Sequence, residues 1–455
     1  MKRKMIVALI GVMALSLMAC GKKTALSNST KQLTSVKTEN QTQTAETVKE
    51  ESNGENIVEN NGETSIESNG ENNDEGSGAN ISQTADFKTR YNQFAINLLQ
   101  QTYQTGKNEM ISPLSVLAAL TMTENGANGE TLTQMEQVLS GGTDRKQQGT
   151  ELSSYMNSLT DTENSHLNIA NSIWVKDSDS LHVNNDFLNA NEQLFQAEVY
   201  QAPFDDSTLK DINTWVSNET EQMIPQILDK INSESVMYLI NAVAFDAKWR
   251  VPYEKEDVTA GVFTTENGNR QDVDIMHSTE SIYLEDENTT GFLRPYEEGY
   301  YFMAMLPAEG TSMEDYVNTL SAEKFKNLLE NAGYNFDVDT VIPRFKSEYS
   351  VELKDTLETM GMTDAFDEEK ADFSGIGSSD NGNIYISKVI HKTFIEVDEQ
   401  GTKAGAATVV GMEEATSLKE PVVKTVYLDR PFVYAIIDSE SELPVFLGVT
   451  EVVEQ

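Results

Sequence analysis

Apolar residues recur at helical spacing from Phe87 onward. In "FKTRYNQFAINLLQQTY" the positions Phe87, Tyr91, Phe94, Ala95, Leu98 and Leu99 share one face, which predicts an amphipathic helix. "SPLSVLAALTMTENGA" opens on Ser112 and Pro113, an N-cap followed by a first-turn proline, and stops at Asn125–Gly126. The period then changes. "SVMYLINAVAFDAKW" (235–249) is dense in β-branched and apolar residues, as a buried strand should be. "YYFMAMLPA", "NIYISKVIHKTFIEVDE" (383–399) and "RPFVYAIIDSESELPVFLGVTEVV" also read as strands. Helices come first, strands dominate later, and no regular βαβ alternation appears. That order predicts an α+β domain.

One stretch fits neither period. "EQGTKAGAATVVGMEEATS" (399–417) carries almost no side-chain bulk: Gly401, Ala404, Gly405, Ala406 and Ala407 are all small. Its hydrophobic run Thr408–Val410 passes straight into Glu413 and Glu414. It lies between two well-patterned strands.

Before Asp86 the pattern is absent. Residues 21–85 are rich in Asn, Ser, Thr, Gly and Glu, hold no aromatic residue, and repeat "ESNGEN" at 51–56 and 67–72. Such a segment cannot bury enough apolar surface to offset its ordering entropy, so it reads as a solvated tether spanning roughly 45 Å on average. Residues 1–20 carry Lys2, Arg3 and Lys4 ahead of an apolar run from Met5 to Ala19, which suits a secretory signal better than a membrane span. The run ends in "LMAC", which resembles the bacterial lipobox. In that motif Cys20 would be lipidated and become the new N-terminus. The expected divisions are therefore a lipoprotein signal peptide (1–20), a tether (21–85) and a folded domain (86–455).

Composition narrows the function. The 455 residues carry a formal net charge of −41, which weighs against nucleic acid and against electrostatic adhesion to anionic lipid. Membrane attachment should then come from the lipid anchor alone. Cys20 is the only cysteine, which excludes disulfides within the chain and a zinc–thiolate cluster. No G-x-S-x-G, G-x-x-x-x-G-K-[ST] or H-E-x-x-H motif is present. His166, His182, His277 and His391 are scattered, and a lone histidine on a strand is more often a core hydrogen-bonding residue than a ligand. "FSGIGSSDNG" (373–382) reads as a turn rather than a nucleotide loop. No nucleophile–base pair, cofactor or metal site can be named.

The small-residue block and the segments around it resemble the serpins, serine protease inhibitors that act by inserting a loop into a sheet. The resemblance covers nearly all of 86–455. "ISPLSVLAALTMTENGANGETLTQM", "INTWVSNETEQMIPQIL", "LINAVAFDAKW", "IPRFKSEYSVELKDTLETMGMTDAF", "SKVIHKTFIEVDEQGTKAGAAT", "DRPFVYAI" and "PVFLGVT" follow in the family order. It implies a fold of three β-sheets with eight or nine helices and an exposed reactive loop. A target protease would attack the loop and form an acyl-enzyme. The cut loop would then enter the main sheet as a new strand and distort the protease before water releases it.

The resemblance also assigns residues. A segment that must slip between paired strands cannot carry bulk. Alternate side chains of a strand share a face, so Thr402, Ala404, Ala406 and Thr408 would meet the core, and Lys403, Gly405, Ala407 and Val409 the other side. Gly401 would supply a flexible hinge. Glu399 is expected to pair with Arg344 near Trp249, where the loop first enters. Ser112, Ser115, Asn241 and His391 match a polar cluster beneath the centre of the sheet. Counting sixteen positions from Glu399 places the reactive bond between Ala415 and Thr416, with Thr416, Ser417 and Leu418 as alternative positions for the cut. A small residue before the cut suits an elastase- or subtilisin-like protease, whereas Lys424 would suit a trypsin-like one. One departure is visible, Ala247, where the family usually has glycine. The expected state is a monomeric, outward-facing bacterial lipoprotein whose partner is a serine protease bound covalently. The competing reading is a non-inhibitory serpin-fold binding protein.

Overall fold

A computed structural model of the chain describes residues 85–454 apart from 234, 381 and 403–421. Cys20, the segment 1–84, Ala404, Ala406, Ala407, Thr408, Ala415 and Thr416 lie outside the described residues. Among the described residues the chain forms three β-sheets and nine α-helices.

The helix Phe87–Thr102 buries Tyr91, Phe94, Ala95, Leu98 and Leu99, the stripe read from the sequence. The helix Pro113–Glu124 is capped by Ser112, whose side chain accepts from the Ser115 N–H. Every residue of this helix except Ala119 is buried, so its apolar surface runs all the way round. Such a helix is stable only inside a core.

Two large sheets enclose that core. The nine-stranded sheet runs from Glu109–Ile111 through the C-terminal hairpin Phe432–Asp438 and Pro444–Thr450 to the edge strand Val422–Tyr427. The hairpin strands are buried at every position, which accounts for their unbroken hydrophobic sequence. The six-stranded main sheet has the order Phe345–Glu352, Ile390–Val397, Gly401–Thr402, Met237–Lys248, Ser165–Lys176, Glu198–Ala202. The two-residue strand Gly401–Thr402 joins Ile390–Val397 to Met237–Lys248, and among the described residues nothing else pairs them.

Two readings of the sequence need correction. The segment 383–399 is a strand only over Ile390–Val397. Its ladder with Phe345–Glu352 ends at Glu352 opposite Ile390. Beyond that point it is held by single contacts, such as Ile386 N–H to Ala365 O at 2.9 Å and Val389 N–H to the Glu352 carboxylate at 2.9 Å. The second is 373–382. It is not all turn, because Gly377–Ser379 pairs with Leu181–Val183 as the smallest sheet.

Candidate functional site

Residues 398–402 leave one strand, turn, and re-enter the main sheet. The Asp398 carboxylate makes this turn by accepting from the N–H groups of Gln400 (2.8 Å) and Gly401 (3.2 Å). Gly401 then lies opposite Lys248, and Thr402 opposite both Ala247 and Val397. A Cβ on Gly401 would sit 2.0 Å from the Ala247 carbonyl oxygen, so what glycine supplies here is room for the backbones to approach. Thr402 is only 1% exposed and shares a 2.6 Å hydrogen bond with the Tyr296 hydroxyl. Ala247 pairs on both sides, with Ser165 and Thr402, so its methyl leaves the ladder intact.

Trp249, Glu399 and Arg344 meet at this point. The Trp249 indole N–H donates to Asp398 O at 2.9 Å, and its backbone N–H to Gln400 O at 2.9 Å. Its ring stacks on Tyr296 with centroids 4.5 Å apart. Arg344 forms an ion pair with Glu399 and also reaches Asp274 at 3.4 Å. Both partners of the Arg344–Glu399 pair keep substantial exposure, 38% and 25%, so solvent screening holds its worth to about 0–1 kcal/mol.

Lower in the sheet, Ser112, Ser115, Asn241 and His391 fall into two pairs. The Ser112 N–H donates to His391 Nε2 at 3.0 Å, and the Ser115 hydroxyl donates to the Asn241 Oδ1. The Asn241 amide then donates to Asn171 Oδ1 at 2.6 Å, and Asn171 donates to Phe195 O at 2.9 Å. Thr393 donates to Met110 O at 2.6 Å. Both strands bordering the gap are thus fastened to the same stretch, 110–115, at the start of the buried helix. Between them lies a cavity of about 180 Å³ lined by Ser115, Leu120, Leu239, Asn241, Ile386 and His391 among others.

Burial alone pushes the His391 ring down to about 4, so it is neutral, which matches Nε2 acting as an acceptor. The proton is thereby assigned to Nδ1. Glu109, one residue before Met110, is pushed the other way. Burial raises its carboxyl to about 8, with the Thr102 hydroxyl pulling it partly back. Two neutral titratable groups therefore flank this anchor.

Tyr296, Asn171 and Thr393 were not singled out from the sequence. Asn171 gave the one usable signal, an amide inside the apolar run "IANSIWV". Tyr296 follows Pro295, forms a single antiparallel bridge to Trp249, and carries no pattern that ties it to Thr402, more than a hundred residues away.

Among the described residues, the site is thus a gap between two strands of the main sheet with Gly401–Thr402 paired at one end. Comparison with known proteins gives the family. A family model described as "Serpin (serine protease inhibitor)" matches residues 89–453. Serpin B8 of Homo sapiens is 32% identical over 373 residues, covering 78% of this chain and 96% of its own. Serpin B10 of Sorex araneus is 30% identical, covering 78% and 97%. The solved structure of a thermophilic serpin, Tengpin, in the native state is 46% identical with a TM-score of 0.76, covering 83% of this chain and 96% of that one. The same protein in the latent state gives 44% identity and a TM-score of 0.72. With the family match spanning residues 89–453 and the three-sheet fold in place, the chain belongs to the serpin family.

Proposed function

We propose that this chain is an inhibitory serpin, a suicide-type trap for serine proteases held on a bacterial surface by a lipid on Cys20. The observation that carries this reading is the parted main sheet with Thr402 already seated at its top. The register can be continued downward. Each step along the inserting segment moves one step back on both antiparallel neighbours. Ala404 then arrives opposite Phe245 and Ile395, Ala406 opposite Val243 and Thr393, and Thr408 opposite Asn241 and His391. Phe245, Ile395, Val243, Thr393 and His391 are buried, so the inserting side chains on that face must be small. Thr408 would bring a hydroxyl alongside the Asn241 amide and the His391 ring, which already bond Ser115, Asn171 and Ser112.

The protein would act as a monomer whose acyl-enzyme partner is an elastase- or subtilisin-like protease cutting between Ala415 and Thr416. The test is incubation with a panel of such proteases. The expected product is a detergent-resistant complex with a released peptide beginning at Thr416. Cleavage across the whole panel without a covalent complex would favour a non-inhibitory binding protein instead.

A further inference from the structure

We propose that Arg294 and Glu280 are positioning residues for strand insertion: a buried ion pair that staples the turn 249–253 against the point where residues 398–400 feed into the main sheet. The inference rests on the inhibitory reading and names how that site keeps its register.

Arg294 lies in the strand Thr289–Pro295, and Glu280 in Arg270–Glu285. Their side chains are 5% and 7% exposed. The guanidinium carbon sits 3.9 Å from the Tyr253 ring centre and 4.9 Å from the Trp249 ring centre. One Arg294 nitrogen donates to Val251 O at 2.6 Å and the other to Glu280. Glu280 also accepts from the Ser278 hydroxyl at 2.7 Å. A single cation thus touches Trp249, Val251 and Tyr253.

That turn in turn holds the inserting segment. Its contacts are the Tyr253 N–H to Glu399 O at 2.9 Å and the two Trp249 donors to Gln400 O and Asp398 O. All three carbonyls from 398 to 400 are held by residues that Arg294 fixes. The Arg344–Glu399 pair beside them is half-exposed and cannot set a position with the same force. A desolvated cation stacked on aromatic rings is a stronger restraint, and neither buried charge can leave its partner without a large penalty. Register matters here because a one-residue slip would turn Thr402 and every following core-side residue to the wrong face.

The test uses the full chain with Arg294→Met and Glu280→Gln combined, so that no lone charge remains. A thermolysin-type metalloprotease, which forms no acyl-enzyme and so cannot be trapped, nicks the reactive segment, and the rate at which nicked protein becomes heat-resistant is followed. The double variant should convert about ten-fold more slowly than wild type, the loss expected for one stacked, desolvated cation contact. Arg90→Met with Glu151→Gln, an ion pair that shares no partner with this turn, should convert within about two-fold of wild type. If the double variant fails to fold, Arg294→Lys serves, since it keeps the charge but loses the fork to Val251 and Glu280. Its conversion should still be slowed by a few-fold. Conversion at the wild-type rate in a folded variant overturns the proposal. Wild-type protein that converts yet never traps a protease sinks the inhibitory reading while leaving the conversion rates to judge the staple. Nicked wild type that never gains heat resistance overturns both.

Discussion

Thr402→Arg should keep the fold and the cleavage but abolish trapping. Thr402 is 1% exposed, bonded to Tyr296, and faces Ala247 and Val397, both at 0% exposure. Arginine in that position loses a side-chain hydrogen bond worth about 1 kcal/mol. It also buries a second cation near Arg294, whose charge is felt at Tyr296, and no carboxylate pairs with Thr402 to compensate. The penalty for an unpaired buried charge is several kcal/mol. At about 1.4 kcal/mol per factor of ten, insertion should slow by two orders of magnitude or more. The segment can escape the penalty by staying outside the sheet, which is why the fold survives. Deacylation then outruns insertion. The assay is the molar ratio of cleaved inhibitor to covalent complex against one protease, with Thr402→Ser as the control that retains the hydroxyl. Covalent complex formed by Thr402→Arg at the wild-type yield would refute this account of insertion.

Cleavage between Ala415 and Thr416 should raise the unfolding midpoint well above that of the intact chain, measured side by side in denaturant, because the parted strands gain a partner; a nicked form no more stable than the intact one contradicts this. Cys20→Ser should release the protein from the membrane or leave its precursor unprocessed, read by detergent partitioning. His391 is held neutral, with its value depressed from 6.5 to about 4, so its contribution to stability is present above pH 6.5 and lost as pH falls toward 4, on the order of 3 kcal/mol. His391→Gln should therefore flatten that acid limb in urea titrations. Glu109 is raised from 4.5 to about 8, so its contribution is present below pH 4.5 and lost as pH rises through 8. Glu109→Gln should be more stable than wild type at pH 8 and gain little at pH 4.5, and a gain independent of pH would show that the carboxyl does not titrate as its burial implies.

Much of the fold could be read from local pattern. The helices Phe87–Thr102 and Pro113–Glu124 announce themselves by stripe and cap, and the C-terminal hairpin by continuous burial. The half-strand at 383–389 could not be read, because its composition suits a ladder whose partner ends at Glu352. Strand pairing is set by what lies across the gap, and a single strand's sequence does not contain that. Of the site, Trp249, Arg344, Glu399, Gly401 and Thr402 were named through family resemblance, and the structure places them at one corner of the main sheet. Arg294 and Glu280 were invisible. Charged residues on strands of a strongly acidic chain look like solvated surface, and only the packing of Tyr253 and Trp249 puts this pair inside.

The cavity between the parted strands sets this protein apart from most globular domains in how it would respond to improvement. In an ordinary core, filling a void of about 180 Å³ is a reliable route to a more stable protein. On the inhibitory function proposed above, the void is the seat kept for the strand that the cut segment would form. A bulkier residue at Leu239 or Ile386 would lower the free energy of the waiting form and crowd the product form, narrowing the difference between them from both sides. Thermostability selected in the intact molecule would then be selected against its working stroke. A variant library screened for heat resistance should accumulate its hits along this seam, and those hits should be the ones that are cut without trapping.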